Sequence, residues 1–182
     1  MKRGTRALGV AVSNRGDGGH ATVGGAVVRA SRVVDGVSFS ACTVGGLDST
    51  AAVSRCYERL NREDVQYVLL AGIAPAWFNV IDVRAVHERV DRPVLAVSFE
   101  ESPGLGEPIN REFTGRERDA RLAIYESLPE RTPVTVNDHR VFVRSVGCDR
   151  AAAVVRAFTP AGGRPEPLRV ARLAARAGDD YA

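Results

Sequence analysis

Asp48 and Asp82 each stand just ahead of a stretch of helical periodicity, and Glu100 and Glu101 follow a short apolar run. Carboxylates placed in this way can hold Mg²⁺ or Mn²⁺, which activates a water and stabilises charge on a leaving oxygen. One or two of them hold the ion only where substrate phosphates complete its octahedron. Asp48 is also the residue type that a helix N-cap takes, a contribution of about 1 kcal/mol. Asp82 falls at the third helical position, as a capping-box acid does. For both, the capping reading comes first, and for Glu100 and Glu101 a solvated loop does. Trp77, in a loop behind an apolar run, offers a ring on which an unpaired base stacks, whereas Phe78 is accounted for by a hydrophobic staple onto Val83. Arg169, Arg172 and Arg176 recur on one helical face, where they track a phosphate backbone or face solvent. His20, His87 and His139 are scattered, with no second histidine at ligand spacing. Cys42, Cys56 and Cys148 are odd in number and widely spaced, and read as buried thiols in a reducing cytosol.

The elements that must position these residues centre on Tyr67 to Leu70, an apolar run of strand type. Gly72 and Pro75 stop regular structure there, and Asn79 opens a helix as its N-cap, with Val80, Val83, Val86 and Val90 in a stripe. A strand, a loop and a helix start in succession is where α/β proteins place chemistry. Ala71 stands where a catalytic carboxylate would project.

The rest of the chain fits around this unit. Arg6 to Ser13 reads as a strand buried on both faces. Gly-Asp-Gly-Gly at 16–19 lacks the Gly-Lys-Ser/Thr of a phosphate loop. Thr22–Arg29 and Val33–Val44 form a hairpin that turns either at Ala30–Arg32 or at Asp35-Gly36. A helix follows from Asp48 or Ser49 to about Arg62, then the central strand and its helix, then a strand over Pro93–Ser98. Phe99 to about Gly115 reads as one long irregular loop. Beyond it come a helix over Arg116–Leu128, short strands at Val134–Val136 and Val141–Val146, a helix over Asp149–Phe158, and a last helix with Pro167 in its first turn and Gly178 as its stop. Antiparallel strands followed by strand-helix alternation give an α/β mixed sheet with helices on both faces, the layout of the ribonuclease H-like fold.

With 182 residues, 45% hydrophobic and 26% charged, the chain is sized for one soluble domain. The apolar run behind Lys2, Arg3 and Arg6 ends at Ser13, too short for a signal peptide or a membrane span, so a cytoplasmic location is expected. The net charge of +3 is compatible with a nucleic-acid partner without demanding one. Lys2 is the only lysine.

Three segments, Gly-Gly-Leu-Asp-Ser-Thr at 45–50, Ala-Gly-Ile with Phe-Asn-Val-Ile-Asp at 71–73 and 78–82, and Pro-Glu-Pro-Leu-Arg-Val-Ala at 165–171, resemble the archaeal endonuclease V-like family, also called domain of unknown function ninety-nine or endonuclease dU. The resemblance implies a ribonuclease H-like fold related to a metal-dependent nuclease that nicks near deaminated bases. It also implies close approach of nucleic acid to the backbone at Gly45, Gly46 and Gly72; Trp77, Asn79, Arg169 and Arg172 are the side chains expected to contact it. Family members carry acids at positions held here by Ala11, Val12, Gly45 and Ala71, which leaves Asp48 as the one expected metal ligand, with Asp82 beyond it. The expectation is a nucleic-acid binder, acting at deaminated or single-stranded sites, with weak or no cleavage. The alternatives are an active Mg²⁺- or Mn²⁺-dependent endonuclease with an altered acid set, and a structural subunit that keeps a homodimer contact and binds no nucleic acid.

Overall fold

Apolar residues run almost unbroken from Ala7 to Val12, and they form β1 (Arg6–Ser13), whose side chains are buried on both faces of the sheet. The computed structural model describes residues 1–14 and 19–181, so most of the Gly-Asp-Gly-Gly segment lies outside the described residues. β1 pairs antiparallel with β2 (His20–Arg29), which pairs antiparallel with β3 (Val34–Thr43). Of the two turns open to this hairpin, the chain takes the earlier. Arg29 N–H donates to Val33 O at 2.9 Å and Arg32 adopts φ 72°. Asp35 stays within β3, where its carboxylate collects the guanidinium groups of Arg6 and Arg29 at 2.6 and 2.5 Å.

α1 (Ser49–Glu58) is shorter than its apolar stripe suggests, because a turn with Asn61 at φ 46° ends it before Arg62. β4 (Val65–Ala71) then enters parallel to β1. The single turn α2 (Pro75–Phe78) has Ala76, Trp77 and Phe78 all at positive φ. α3 (Val83–Val90) starts three residues later than its valine stripe predicts. Asp82 is its N-cap, accepting from the N–H groups of Arg84 and Ala85, while Val80 is buried ahead of the helix. β5 (Val94–Ser98) lies parallel to β4.

The stretch expected to be one irregular loop contains α4 (Gly106–Glu112). Pro108 reads as a breaker, yet it falls in the first turn, where its missing N–H costs nothing. α5 (Gly115–Ser127) leads to the hairpin of β6 (Thr132–Val136) and β7 (His139–Val146), which turns at Asn137 and Asp138, both at positive φ. After α6 (Ala151–Ala157), α7 (Glu166–Tyr181) runs through Gly178 without stopping. Gly178 is needed for a different reason: a Cβ there would lie 2.9 Å from the Phe39 ring.

The sheet order is β3-β2-β1-β4-β5-β7-β6. Valines of β1 and β4 pack beneath α1 and α3 on one face, and Ala7, Leu69 and Leu95 pack with Phe158 and Leu168 on the other. α7 lies directly on β1 and β2, because a Cβ at Gly9 would fall 2.1 Å from Pro167 O and one at Gly24 2.6 Å from Ala175 N. No helix among the described residues is long and apolar enough to cross a membrane.

Candidate functional site

β1 and β4 are parallel neighbours, so their carboxyl ends open at the same edge of the sheet. Val10 and Leu70 point into the core beneath α1 and α3. By the alternation of a pleated strand, Ala11 and Ala71 point to the opposite face, where both pack in the cluster under α7. They line a cavity of about 520 Å³ whose walls include Ser98, Glu100, Arg164, Arg172 and Arg176. A second cavity, of about 560 Å³, adjoins it across Ala71, Gly72 and Glu100 and is closed by Tyr125, Arg131 and Arg144. Both volumes fall within the roughly 300–1,000 Å³ of small-molecule sites. Burial holds Arg164 below the usual arginine value, and the charge of Arg172 lowers it further. Its guanidinium stacks 3.9 Å over the Phe99 ring.

Asp48 does not line either cavity. It holds the expected N-cap position of α1, on the other face of the sheet, but its side chain makes no capping hydrogen bond. Its oxygens instead accept from Thr43 N–H at 3.0 and 3.1 Å, from Thr43 Oγ1 at 2.9 Å and from Asn79 Nδ2 at 2.7 Å. Burial pushes the Asp48 carboxyl up, but the bonds from Asn79 and Thr43 outweigh it and hold the group below the usual carboxylate value. Asn79 is not the N-cap of α3. It is fully buried, and besides Asp48 it donates to Thr43 O at 2.8 Å and accepts from Ser49 N–H at 2.9 Å. Asp82 keeps its capping role, although as the N-cap of α3.

Trp77 is 57% exposed, and it is presented by three successive left-handed residues. Such conformations cost about 1–3 kcal/mol each and persist only where surroundings impose them. Arg121 is the imposing group, and the sequence carries no sign of it, since arginine ordinarily faces water. It is fully buried in α5, donates to Phe78 O at 3.2 Å and to Gly45 O, binds the Glu117 carboxylate at 2.5 Å, and lies 3.9 Å over the Phe113 ring. Phe78 packs edge-on against Trp77 and Phe113, with ring centroids 5.3 and 5.7 Å away.

The glycines divide. Gly46 serves the chain itself, since a Cβ there would lie 2.8 Å from Thr43 Cβ, and Gly45 sits at φ 68° against Trp77. Gly72, at φ 86° on the wall of both cavities, has nothing within 4 Å of its Cβ position and leaves the wall open. Arg172 and Arg176 face the cavity, while Arg169 is held by Glu166 at 2.8 and 2.5 Å. Glu101 pairs with Arg140 at 3.4 Å. His20 and His139 are exposed, and His87 Nδ1 is 2.8 Å from Arg92 O.

A resident Mg²⁺ or Mn²⁺ takes several hard oxygen ligands. Asp48 and Asp82 are occupied by hydrogen bonds apart from the cavities, and Glu100 is the one carboxylate on the cavity walls among the described residues. No three His, Cys, Asp or Glu side chains gather among the described residues. The side chains of the described residues do not fit that ion.

A sheet of this order, with helices on both faces and an open edge at the central parallel strands, is the ribonuclease H-like nuclease fold. Endonuclease V of Ciona intestinalis, in complex with a 24mer DNA containing an inosine followed by a ribo-adenosine, superposes with a TM-score of 0.61 at 14% identity, over 97% of this chain and 86% of that one. A protein of unknown function from Archaeoglobus fulgidus superposes with a TM-score of 0.82 at 25% identity, over 95% and 97% of the two chains. Residues 3–178 match the family described as endonuclease dU, and the chain belongs to that family. A UPF0215 protein of Pyrobaculum calidifontis is 32% identical over 181 residues, covering 96% of this chain and 97% of its own.

Proposed function

We propose that the protein binds nucleic acid along the cavity between the ends of β1 and β4 and the arginine face of α7, at single-stranded or deaminated sites, and cleaves it slowly or not at all. The observation that carries this reading is the cavity wall, which sets Arg164, Arg172 and Arg176 around the methyl groups of Ala11 and Ala71. Guanidinium groups recognise phosphate. Exposed Trp77 follows directly on Pro75 and Ala76, which line the same cavity, and supplies a stacking surface for an unpaired base. The inosine-containing DNA bound to the Ciona enzyme, a protein of the same fold, supports a deaminated base as the target. Slow or absent cleavage is supported by Ala11, Val12, Gly45 and Ala71, which stand where the family resemblance expects acids.

Trp77 is the only tryptophan, so its emission reports occupancy of the site. Single-stranded oligonucleotides with and without inosine, titrated at low salt, should quench it, with affinity falling as salt rises. The strands should stay intact in Mg²⁺ or Mn²⁺. Rapid metal-dependent nicking would replace this reading with an active endonuclease. Failure of every strand to bind at low salt would leave a subunit that has no nucleic-acid partner.

A further inference from the structure

The three arginines of the cavity are assembled at a cost. Like charges held together on a concave wall repel unless an anion sits among them. Arg164 is half-buried and fixed in plane by its stacking on Phe99, and Arg172 and Arg176 stand one helical turn apart on α7. Arg169, on the same helix but outside the cavity, has Glu166 as its ion-pair partner. Among the described residues no carboxylate pairs with Arg164, Arg172 or Arg176. Burial and the charge of Arg172 both hold Arg164 below its ordinary value, as expected where two guanidinium groups face one another with no acid between them.

The charge and the space fit one kind of group. Among the described lining residues, three arginines outnumber the one carboxylate, Glu100, by two, while Asp179 accepts from Ser13 Oγ of the wall at 3.0 Å without itself lining the cavity. A phosphate monoester carries about −1.5 to −2 at neutral pH, whereas a diester inside a strand carries about −1. Ala11, Ala71 and Gly72 present no long side chain into the space, and about 520 Å³ exceeds what the phosphate alone requires, leaving room for the sugar that bears it.

We infer that this cavity takes the terminal phosphate of a nucleic-acid strand, held directly by Arg164, Arg172 and Arg176 with no bridging metal ion. The inference rests on the nucleic-acid reading above and gives that site a preference for strand ends. It also assigns a use to the small residues at the ends of β1 and β4, which make room for the phosphate.

The test compares short single strands, identical in sequence and internally labelled, that carry a 5′-phosphate, a 3′-phosphate or hydroxyl groups at both ends, all in EDTA. A phosphate at one end should tighten binding about tenfold or more, the scale of charge-assisted hydrogen bonds. Arg172→Gln and Arg164→Gln, which weaken every strand through the lost phosphate contact, should each bring the ratio of affinities for phosphate-ended and hydroxyl-ended strands, measured on the same variant, to near unity. Arg169→Gln, which removes the same charge from the same helix outside the cavity, should keep the preference. Equal binding of all three strands would overturn the inference and leave the nucleic-acid reading intact. Loss of the preference in Arg169→Gln as well would reduce it to general charge and overturn it too, as would a preference that appears only when Mg²⁺ replaces EDTA. Absence of binding by any strand would remove both readings together.

Discussion

Asn79 shows how one side chain can bind together segments that are distant in sequence. Its amide reaches Thr43 and Ser49, 36 and 30 residues away, and fixes the ionised Asp48 between them. With no exposed surface, it leaves unsatisfied groups behind when removed. Asn79→Ala should therefore lower stability by about 2–4 kcal/mol, the sum for a buried N–H and a carboxylate that each lose a partner. The urea midpoint measures this. Asp48 should at the same time titrate higher, since the bond that offsets its burial is gone. The sequence places an Asn ahead of a valine stripe, the pattern of an N-cap, and both roles call for a short amide near a helix start. Only the tertiary placement of Thr43 and Ser49 separates them. The same tertiary placement draws the side chain of Asp48 away from the helix it caps in position, and buried Arg121 leaves no trace in the pattern at all.

At the scale of elements, the strands and most helices follow from apolar periodicity, and the departures have local causes. α4 hides behind Pro108, and the left-handed turn at Ala76–Phe78 contains no glycine to announce it. The seat of α7 was equally hidden. Gly9 and Gly24 lie inside strands, where glycine has no side chain to pack, and their value is the close approach of the helix backbone. Gly9→Ala puts a methyl group into Pro167 O and must displace the first turn of α7. It should cost at least about 2 kcal/mol in thermal unfolding, as overpacking against backbone does. Gly4→Ala, with nothing within 4 Å of its Cβ position, should change stability by less than about 0.5 kcal/mol.

Across the whole molecule, the two ends of β1 carry opposite electrostatic designs. At the end of β1 away from the cavities, Asp35 gathers Arg6 and Arg29 and lies 3.9 Å from Arg62, tying β1, β2 and β3 to the approach of β4. The hydrogen bond from Arg29, helped by Arg6, lowers the Asp35 carboxyl from 3.8 to about 2. A depressed carboxylate contributes stability that is fully present above its ordinary value and lost as pH falls through the folded one. Asp35→Asn should therefore melt below the wild type at neutral pH, with the deficit closing as pH drops from about 4 toward about 2. Melting curves of the two proteins across that range measure it. Nothing in the sequence sets Asp35 beside Arg6 and Arg29, whereas the mixed sheet was legible, since antiparallel strands before strand-helix alternation point to it. The charge at the cavity was not, because Arg164 comes from a loop and Arg172 and Arg176 from a helix that sequence periodicity cannot orient against β1.

The contact between α7 and Gly9 joins residues that lie far apart along the chain. A growing chain emerges at about 5–20 residues per second, so β1 waits roughly 8–30 s for the helix that covers it. Throughout that interval the glycine and alanine face of β1 and β2 is bare. It carries little side-chain bulk to attract wrong partners, and it accepts α7 only where two backbones can touch.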